Sequence, residues 1–306
     1  MLRALGLGDL LTAVPALRAL RAAYPEAELV LGAPAVYEPL VALMGAVDRV
    51  RSMSGLVDVP DEERPVAVAV NLHGRGPQST RLLQCLAPER LVAFASPECG
   101  SAGPQWHEDE HEVARWCRLV GETLHVPVDA GDLLLARPSD PPVVADAVVV
   151  HPGAAHGARR WPAERFAEVV AWATARGLAP VVTGTDAERE LARAVSRAAG
   201  LGDDAVLAGR LSLGELAVLV ASARLVVSGD TGVSHLATAY RTPSVTLFGP
   251  TPPQLWGPPR DARHIALWNG TGRGDPFAAA VDPALLTIDV AQVTAAAAQA
   301  LAAVPA

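Results

Sequence analysis

The chain has 306 residues, 50% of them apolar, and a net charge of -8 at pH 7. This length is typical of two domains of about 150 residues, each able to bury its own core. The acidic balance excludes nucleic acid as a general partner, because a phosphate backbone binds basic surfaces. No apolar run reaches the roughly 18 residues of a transmembrane helix, and the N-terminus lacks the features of a signal peptide. We therefore expect a cytoplasmic protein.

The basic residues and the cysteines further limit the kinds of site that the sequence can contain. All 25 basic residues are arginine, so a single arginine carries little meaning by itself. The cysteines Cys85, Cys99 and Cys117 are odd in number and widely spaced. That pattern is unsuited to a disulfide framework or a zinc–cysteine site. We expect them to be small, buried apolar residues.

Short β-branched runs alternate with amphipathic runs rich in Ala, Leu and Arg. This alternation predicts an α/β protein with βαβ units and parallel sheets. In the first half we predict strands at 2–5, 29–31, 66–72 and 91–94 and helices at 10–23, 36–44, 79–86 and 108–121. Only about five residues precede the turn at residues 6–8, so either the first strand is short or the sequence begins inside it.

A proline-rich stretch at residues 126–142 has no long periodic run and predicts a crossing between domains. We therefore predict an N-terminal domain of residues 1–135 and a C-terminal domain of residues 143–306. The second half has predicted strands at 147–151, 180–183, 205–207, 225–228 and 244–248 and helices at 162–176, 187–199, 213–223, 233–240 and 290–302. The last helix is a candidate to pack back on the N-terminal domain.

Three polar segments follow predicted strands, where ligands bind in open α/β sheets. The first is the Gly-Leu-Gly-Asp turn at residues 6–9, in which the carboxylate could equally cap the next helix. The second runs from His151 to Pro162 and places two arginines before a helix, an arrangement suited to a diphosphate. The third, residues 228–235, offers backbone N–H groups to an anion and a carboxylate to sugar hydroxyls. The alternatives are a solvated loop and a capped helix with a satisfied histidine.

Two protease-like patterns occur in the sequence. Residues 107–111 match the HExxH zinc-protease pattern, which requires both histidines on one helix face. Residues 230–232 match the Asp-Thr-Gly triplet of aspartic proteases, a chemistry that needs two facing carboxylates. The alternation of strands and helices excludes an aspartic protease. A zinc hydrolase stays a remote alternative.

The three strand-end segments, in this order, resemble glycosyltransferase family 9, the heptosyltransferase family. The resemblance covers nearly the whole chain. It rests on the Arg-to-Gly-Asp opening at residues 3–9, the Arg-Arg-Trp-Pro loop at 159–162, the Leu-Ser-Leu-Gly-Glu-Leu run at 211–216, the segment 229–235 and the Phe-Gly-Pro-Thr run at 248–251. Arg159 stands where the family commonly has Lys, which keeps the charge but changes reach and geometry.

The resemblance implies a GT-B fold of two Rossmann-like domains with parallel sheets that face a central cleft. It also implies an inverting transfer that needs no metal and no cofactor beyond the nucleotide-sugar donor, with ADP-heptose as the family's donor. Asp9 would be the catalytic base and Arg159 would neutralise the departing diphosphate. The other implied donor-binding residues are Gly8, Arg160, Leu211, Asp230, Thr231, Gly232 and His235.

The acceptor is less defined by the sequence. His73 and Arg75 follow the strand at 66–72 and are candidates to bind an anionic acceptor, although a solvated loop explains them equally well. The family's lipopolysaccharide, a cell-wall glycan and a small metabolite all remain open. A lipid-linked acceptor would imply peripheral contact with a membrane. The competing functions are a nucleotide-sugar epimerase on the same scaffold and a non-catalytic sugar-nucleotide binding protein.

Overall fold

A computed structural model of the protein describes residues 1–57 and 65–303. The chain divides into two compact units, Met1–Ala136 and Arg137–Ala306. The predicted domains, residues 1–135 and 143–306, include residues 58–64 and 304–306, which lie outside the described part of the chain. Among the described helices, none combines the length and apolarity needed to cross a bilayer.

The N-terminal unit alternates helices with short parallel strands. Its elements are α1 (Leu7–Thr12), α2 (Val14–Ala23), β1 (Val30–Ala33), α3 (Glu38–Met44), β2 (Arg49–Ser52), β3 (Val68–Val70), α4 (Gln78–Gln84), β4 (Arg90–Val92) and α5 (Glu112–Leu124). β1 pairs with β2, and β3 with β4. Leu2 joins the two pairs through parallel bridges to Gly32 and Asn71. The turn that leads into α1 therefore leaves the middle of this sheet at the carboxyl edge of its strands.

The helix predicted at 10–23 is divided into α1 and α2 at Ala13. Pro15 occupies the first turn of α2, and its ring is incompatible with the carbonyl four residues earlier in a continuous helix. α1 also begins earlier than predicted, because Gly6 is an extended N-cap and Asp9 bonds back to it. This division leaves Asp9 in the first turn of a short helix.

The C-terminal unit contains a five-stranded parallel sheet with helices between its strands. Its elements are β5 (Ala147–His151), α6 (Ala163–Thr174), β6 (Ala179–Val182), α7 (Arg189–Ala198), α8 (Leu213–Ser222), β7 (Leu225–Gly229), α9 (Gly232–Ala239), β8 (Ser244–Leu247), α10 (Pro253–Trp256), β9 (His264–Leu267), α11 (Pro283–Leu286) and α12 (Val290–Ala302). The strand order is β6-β5-β7-β8-β9. Since all pairs are parallel, the loops that follow the strands share one edge of the sheet.

Burial in the core explains why the strands and helices of the C-terminal unit were predicted close to their observed bounds. β5 and β7 are buried along their whole length, and each fully buried Val or Leu stabilises the fold by about 1.5–3 kcal/mol. α6, α7 and α12 pack on this sheet, α12 through Val293, Ala297 and Ala300. Continuous apolar strands between amphipathic helices confirm the predicted α/β class with parallel sheets.

Some predicted elements differ from those observed. The predicted strands at 2–5 and 205–207 are reduced to bridges at Leu2 and Val206, while β2 and β9 were not predicted. The cysteines are all free, as expected, but the prediction of burial is correct for Cys117 alone: Cys99 is half-buried and Cys85 is exposed. Cys85 caps the end of α4, on the solvent side of that helix.

Candidate functional site

Asp9 lies in the first turn of α1, at the carboxyl edge of the N-terminal sheet. Its Oδ2 accepts a hydrogen bond from the Gly6 N–H at 3.2 Å. This is the capping role that the sequence suggested. The side chain is nevertheless 29% exposed, so the cap leaves part of the carboxylate accessible to another partner.

Arg3 is the buried centre of this region, with a side chain that is 0% exposed. Its guanidinium donates to the Asp9 carbonyl at 2.8 Å and to the Leu72 carbonyl. It also lies 3.5 Å from Asp9 Oδ1 and 2.9 Å from Glu112 Oε1. Arg3 thus ties the Asp9 turn to the loop after β3 and to the start of α5.

The charges in this cluster act on Asp9 in opposite directions. Burial raises the pKa of Asp9, the Arg3 guanidinium lowers it, and the Glu112 carboxylate raises it again, with a raised pKa as the net result. Burial also raises the pKa of Glu112, but the charges of Arg3 and Arg115 outweigh it and the pKa is lowered. Glu112 is therefore held in its ionised form more firmly than an ordinary glutamate, and Asp9 binds a proton more readily than an ordinary aspartate.

The other N-terminal candidates lie near this cluster or apart from it. Burial and then the charge of Arg3 lower the pKa of His73, and its Nδ1 is buried without a hydrogen-bond partner in the described chain. Tyr37, which the sequence did not single out, has its pKa raised by burial and by the charge of Asp9. Arg75 is exposed and paired with Glu108 at 3.2 Å. Tyr37 thus lies within reach of the charge of Asp9 and His73 within reach of that of Arg3, while Arg75 pairs with Glu108.

The C-terminal candidates lie in the loops that follow β5 and β7, which are neighbouring strands. Arg159 Nη1 donates to the Asp230 carbonyl at 3.4 Å. The backbone of Arg159 also passes so close to Gly229 that an added Cβ there would be 3.0 Å from the Arg159 carbonyl. The glycine after the buried strand therefore allows the two predicted donor-binding loops to meet.

This meeting point concentrates polar atoms that lack partners within the protein. Arg159 Nε, Ser228 Oγ and Thr231 Oγ1 are buried and make no hydrogen bond in the described chain. Buried polar groups are normally paired. Three such groups at one strand-end site favour a polar ligand that bonds to them.

Glu188, which the sequence did not single out, lies beside the first of the two predicted donor-binding loops. Its carboxylate lies against Gly153, where a Cβ would clash with both carboxylate oxygens. It also accepts from the Thr185 N–H at 2.8 Å. Glu188 follows β6 and faces the loop after β5, so its position after a predicted strand is the sequence feature that could have identified it. Because the segment between β6 and α7 is short, the sequence pattern did not separate this position from the helix that follows.

The remaining predicted donor-binding residues differ in their surroundings. Gly8 lies in the first turn of α1, and Gly232 begins α9 after Thr231, its N-cap. His235 contacts the Trp256 ring, with centroids 5.9 Å apart. Leu211 is half-buried just before α8. Arg160 is exposed and donates to the Ala154 carbonyl at 2.8 Å, so it braces its own loop.

Two buried histidines make the stability of the C-terminal unit depend on pH. Burial lowers the pKa of His151 and of His264 below the ordinary value of 6.5. Below that value the unfolded chain holds more protons than the folded one, so stability falls as the pH drops towards the folded-state pKa values. We expect Tm to decrease from pH 7 to pH 5, and less steeply in His151→Asn and His264→Asn. Scanning calorimetry across this range checks it; slopes identical to wild type would contradict it.

The HExxH segment does not form a zinc site of the predicted kind. α5 begins only at Glu112, and the His111 imidazole caps it by accepting from the Val113 N–H at 3.2 Å. The five motif residues therefore precede the helix, and their histidines share no helix face. Across residues 1–57 and 65–303, no three His, Cys, Asp or Glu side chains are grouped to hold a metal ion. The predicted helix at 108–121 was wrong in its start for the same reason.

Comparison with known proteins gives a family match and several relatives. The family model described as glycosyltransferase family 9 (heptosyltransferase) matches residues 104–278, more than half of the chain. Lipopolysaccharide heptosyltransferase 1 of Pseudomonas aeruginosa is 37% identical over 153 residues, which are 48% of this chain and 42% of the relative. The Salmonella typhimurium protein of that name is 34% identical over 160 residues, 49% of this chain and 48% of the relative. These matches span less than half of each curated relative.

Solved structures resemble the chain over almost its full length. Escherichia coli ADP-heptose lps heptosyltransferase II has a TM-score of 0.75 at 21% identity, covering 98% of both chains. A family 9 glycosyl transferase from Veillonella parvula has a TM-score of 0.79 at 20% identity, covering 98% of this chain and 96% of that one. This likeness to GT-B heptosyltransferases confirms the predicted fold.

One further neighbour bears on the metal question. TibC of enterotoxigenic E. coli, described as an iron-containing dodecameric glycosyltransferase, has a TM-score of 0.61 at 16% identity, covering 96% of this chain and 76% of that one. The same fold is therefore found with iron in one protein. The expectation of a metal-free reaction in this chain stays a prediction.

Proposed function

The chain belongs to glycosyltransferase family 9, and from that premise we propose that it transfers a sugar from a nucleotide diphosphate donor to an acceptor hydroxyl with inversion. ADP-heptose is the proposed donor, since a solved relative is described by that donor. A lipopolysaccharide-type glycan is the proposed acceptor, as in the names of the curated relatives. Contact with a membrane surface follows if that acceptor is lipid-linked. Cytoplasmic localisation stays a prediction.

The observation that carries the proposal is the meeting of the Arg159 and Asp230 loops around three unpartnered polar atoms. A guanidinium there can bond a diphosphate, and the hydroxyls of Ser228 and Thr231 can bond phosphate or sugar oxygens. The N-terminus of α9 directs backbone N–H groups to the same edge, which favours an anion. Such a site suits a nucleotide diphosphate sugar better than a neutral metabolite.

We propose a reaction in which Asp9 and Arg159 have separate roles. The acceptor oxygen attacks the anomeric carbon, and the bond from that carbon to the diphosphate oxygen breaks. The acceptor proton passes to Asp9, whose raised pKa suits a general base. The negative charge that develops on the diphosphate is stabilised by Arg159. We propose that no metal takes part, because both charges are met by side chains.

Thermal shift with nucleotides tests the donor site. Wild type is expected to gain stability with ADP and more with ADP-heptose, because a ligand that binds only the folded state stabilises it by about 2.7 kcal/mol at a hundredfold excess over Kd. Asp230→Ala is expected to lose the extra gain from the sugar. GDP and UDP sugars serve as competing donors.

Asp261→Ala is the matched control, because Asp261 precedes β9 at the opposite edge of the sheet and pairs with Arg263 at 3.1 Å. It should respond to ADP-heptose as wild type does. No shift with any nucleotide sugar would remove the main support for the proposal. Conversion of the donor without acceptor would instead favour the epimerase alternative.

A further inference from the structure

The buried carboxylate of Glu112 has no role in the proposed reaction, yet it is held by three side chains, one from the start of the chain and two from α5. Oε1 accepts from Arg3 at 2.9 Å and from Trp116 Nε1 at 2.8 Å, and Oε2 accepts from Arg115. Its side chain is only 6% exposed. A buried carboxylate with this number of donors is fixed in position and stays ionised.

Arg3 connects this fixed carboxylate to Asp9. The guanidinium carbon lies over the Trp116 ring, 4.5 Å from its centroid, and one nitrogen contacts both Glu112 and Asp9 Oδ1. Another donates to the Asp9 carbonyl. Because the guanidinium is planar and rigid, any displacement of its Glu112 end would move the Asp9 end as well.

We propose that Glu112 is a positioning residue for Asp9, acting through Arg3: it holds the guanidinium against the Asp9 turn and neutralises its charge beside the Asp9 carboxylate. The role of Asp9 as base rests on the proposed function. The placement of Arg3 by Glu112 does not. The two statements can therefore be tested separately.

The groups that face Asp9 come from each element packed around it. Arg3 approaches from the strand position at the start of the chain, Glu112 from α5 and Tyr37 from the loop before α3. His73, after β3, lies on the side of Arg3, whose charge it feels. With Glu112 ionised, the charge of Arg3 is shared between two carboxylates. Without it, that charge acts on Asp9 alone and favours the ionised form of Asp9.

The first test measures Asp9 directly and needs no substrate. The protein is labelled with carboxyl-¹³C aspartate, Asp9 is assigned by its loss in Asp9→Asn, and its titration is followed by NMR. We expect the Asp9 midpoint to move to lower pH in Glu112→Gln and to higher pH in Arg3→Gln. Because the expected shifts of the Asp9 midpoint have opposite signs, one folded variant is enough to test the proposed arrangement if the other does not fold. A wild-type midpoint in a folded variant overturns the proposal.

Two further variants separate charge from structure. Glu112→Asp keeps the charge and should restore the midpoint towards that of wild type. Glu110→Gln removes a neighbouring, largely buried carboxylate that pairs with Arg118 at 2.7 Å and makes no contact with Arg3. It should cost stability without moving the Asp9 midpoint. An equal shift in Glu110→Gln would show that general loosening, and not Glu112, is responsible.

The second test uses the reaction, with ADP-heptose as donor and heptose-deficient lipopolysaccharide as acceptor. In Glu112→Gln we expect kcat to fall on the order of tenfold, because a weaker base accepts the proton less readily. The acidic limb of the pH profile should move to lower pH, and the donor KM should be unchanged. Unchanged kcat and an unmoved limb contradict the positioning role.

The two proposals fail in different ways. If Asp9→Asn transfers sugar as wild type does, the assignment of Asp9 as base is wrong, and the NMR shifts still decide the role of Glu112. If Asp9→Asn is inactive while Glu112→Gln has the wild-type midpoint and pH profile, the positioning role alone is wrong.

Discussion

Replacing Asp9 by Asn is expected to lower kcat for sugar transfer by about 10²–10⁴-fold, the usual contribution of a general base. The amide keeps the size of the side chain and can still accept from the Gly6 N–H, so the helix cap is retained. It cannot take the acceptor proton. The donor KM should be unchanged, because the proposed side-chain contacts to the donor are made by residues of the C-terminal unit and the substitution leaves Gly8 in place. Steady-state kinetics with ADP-heptose and heptose-deficient lipopolysaccharide measure both quantities.

Asp48→Asn is the matched control for this substitution. Asp48 is also an N-terminal carboxylate that pairs with an arginine, Arg21, and accepts from a backbone N–H, that of Leu29 at 2.7 Å. It precedes β2, at the opposite edge of the sheet from Asp9. Its loss should lower stability and leave kcat near wild type. A comparable loss of kcat in both variants would point to the fold of the unit and not to proton transfer.

The two roles considered for Asp9, helix cap and catalytic base, are compatible in this structure. A carboxylate that only caps a helix N-terminus gains from the N–H groups and the helix dipole, which lower its pKa. Asp9 makes the capping bond, yet burial and Glu112 leave its pKa raised. A raised pKa makes the ionised form less favourable in the resting protein and a better proton acceptor. That combination is expected of a base and not of a structural cap.

The C-terminal half was the more predictable part of the fold. β5 and β7 are continuous apolar runs, and such runs between amphipathic segments identify buried parallel strands. The loops that follow them share one edge of the sheet, and the structure places the predicted donor-binding residues Arg159 and Asp230 in these neighbouring loops. β2 and β9 were missed because exposed or half-exposed residues interrupt their apolar pattern. Edge strands of this kind carry a weak sequence signal.

The N-terminal cluster could not be derived in the same way. Arg3 stood in a predicted strand, and a buried arginine there requires a carboxylate partner. The sequence offers 33 acidic residues, and the partner is 109 positions away. The HExxH pattern favours Glu108 instead, and that residue is exposed. Long-range pairing of charges has no local pattern, so the structure alone identifies Glu112.

Replacing Arg159 by Met is expected to lower kcat by about 10²–10³-fold, the range seen when one donor to a developing negative charge is removed. Met keeps most of the apolar stem and removes the charge. Arg159→Lys keeps the charge with fewer donors and should retain more activity than Arg159→Met. Affinity for ADP should also fall in Arg159→Met, because the free diphosphate carries the charge that the guanidinium meets. Kinetics and calorimetric titration with ADP measure the two effects.

The comparison with Arg176→Met decides whether this loss is specific. Arg176 follows the C-terminus of α6, lies 4.3 Å from the Trp172 ring centroid and donates to the Trp172 carbonyl at 3.3 Å. Its loss changes net charge equally without touching the strand-end loops. Wild-type kinetics in that variant would tie the effect to the Arg159 position. Full activity in Arg159→Met would be incompatible with leaving-group stabilisation at this site. It would also leave the unpartnered Ser228 and Thr231 hydroxyls as binding groups of a different ligand. The order Arg159, Arg159→Lys, Arg159→Met in kcat therefore distinguishes a charge that acts in the transition state from one that only fixes the loop.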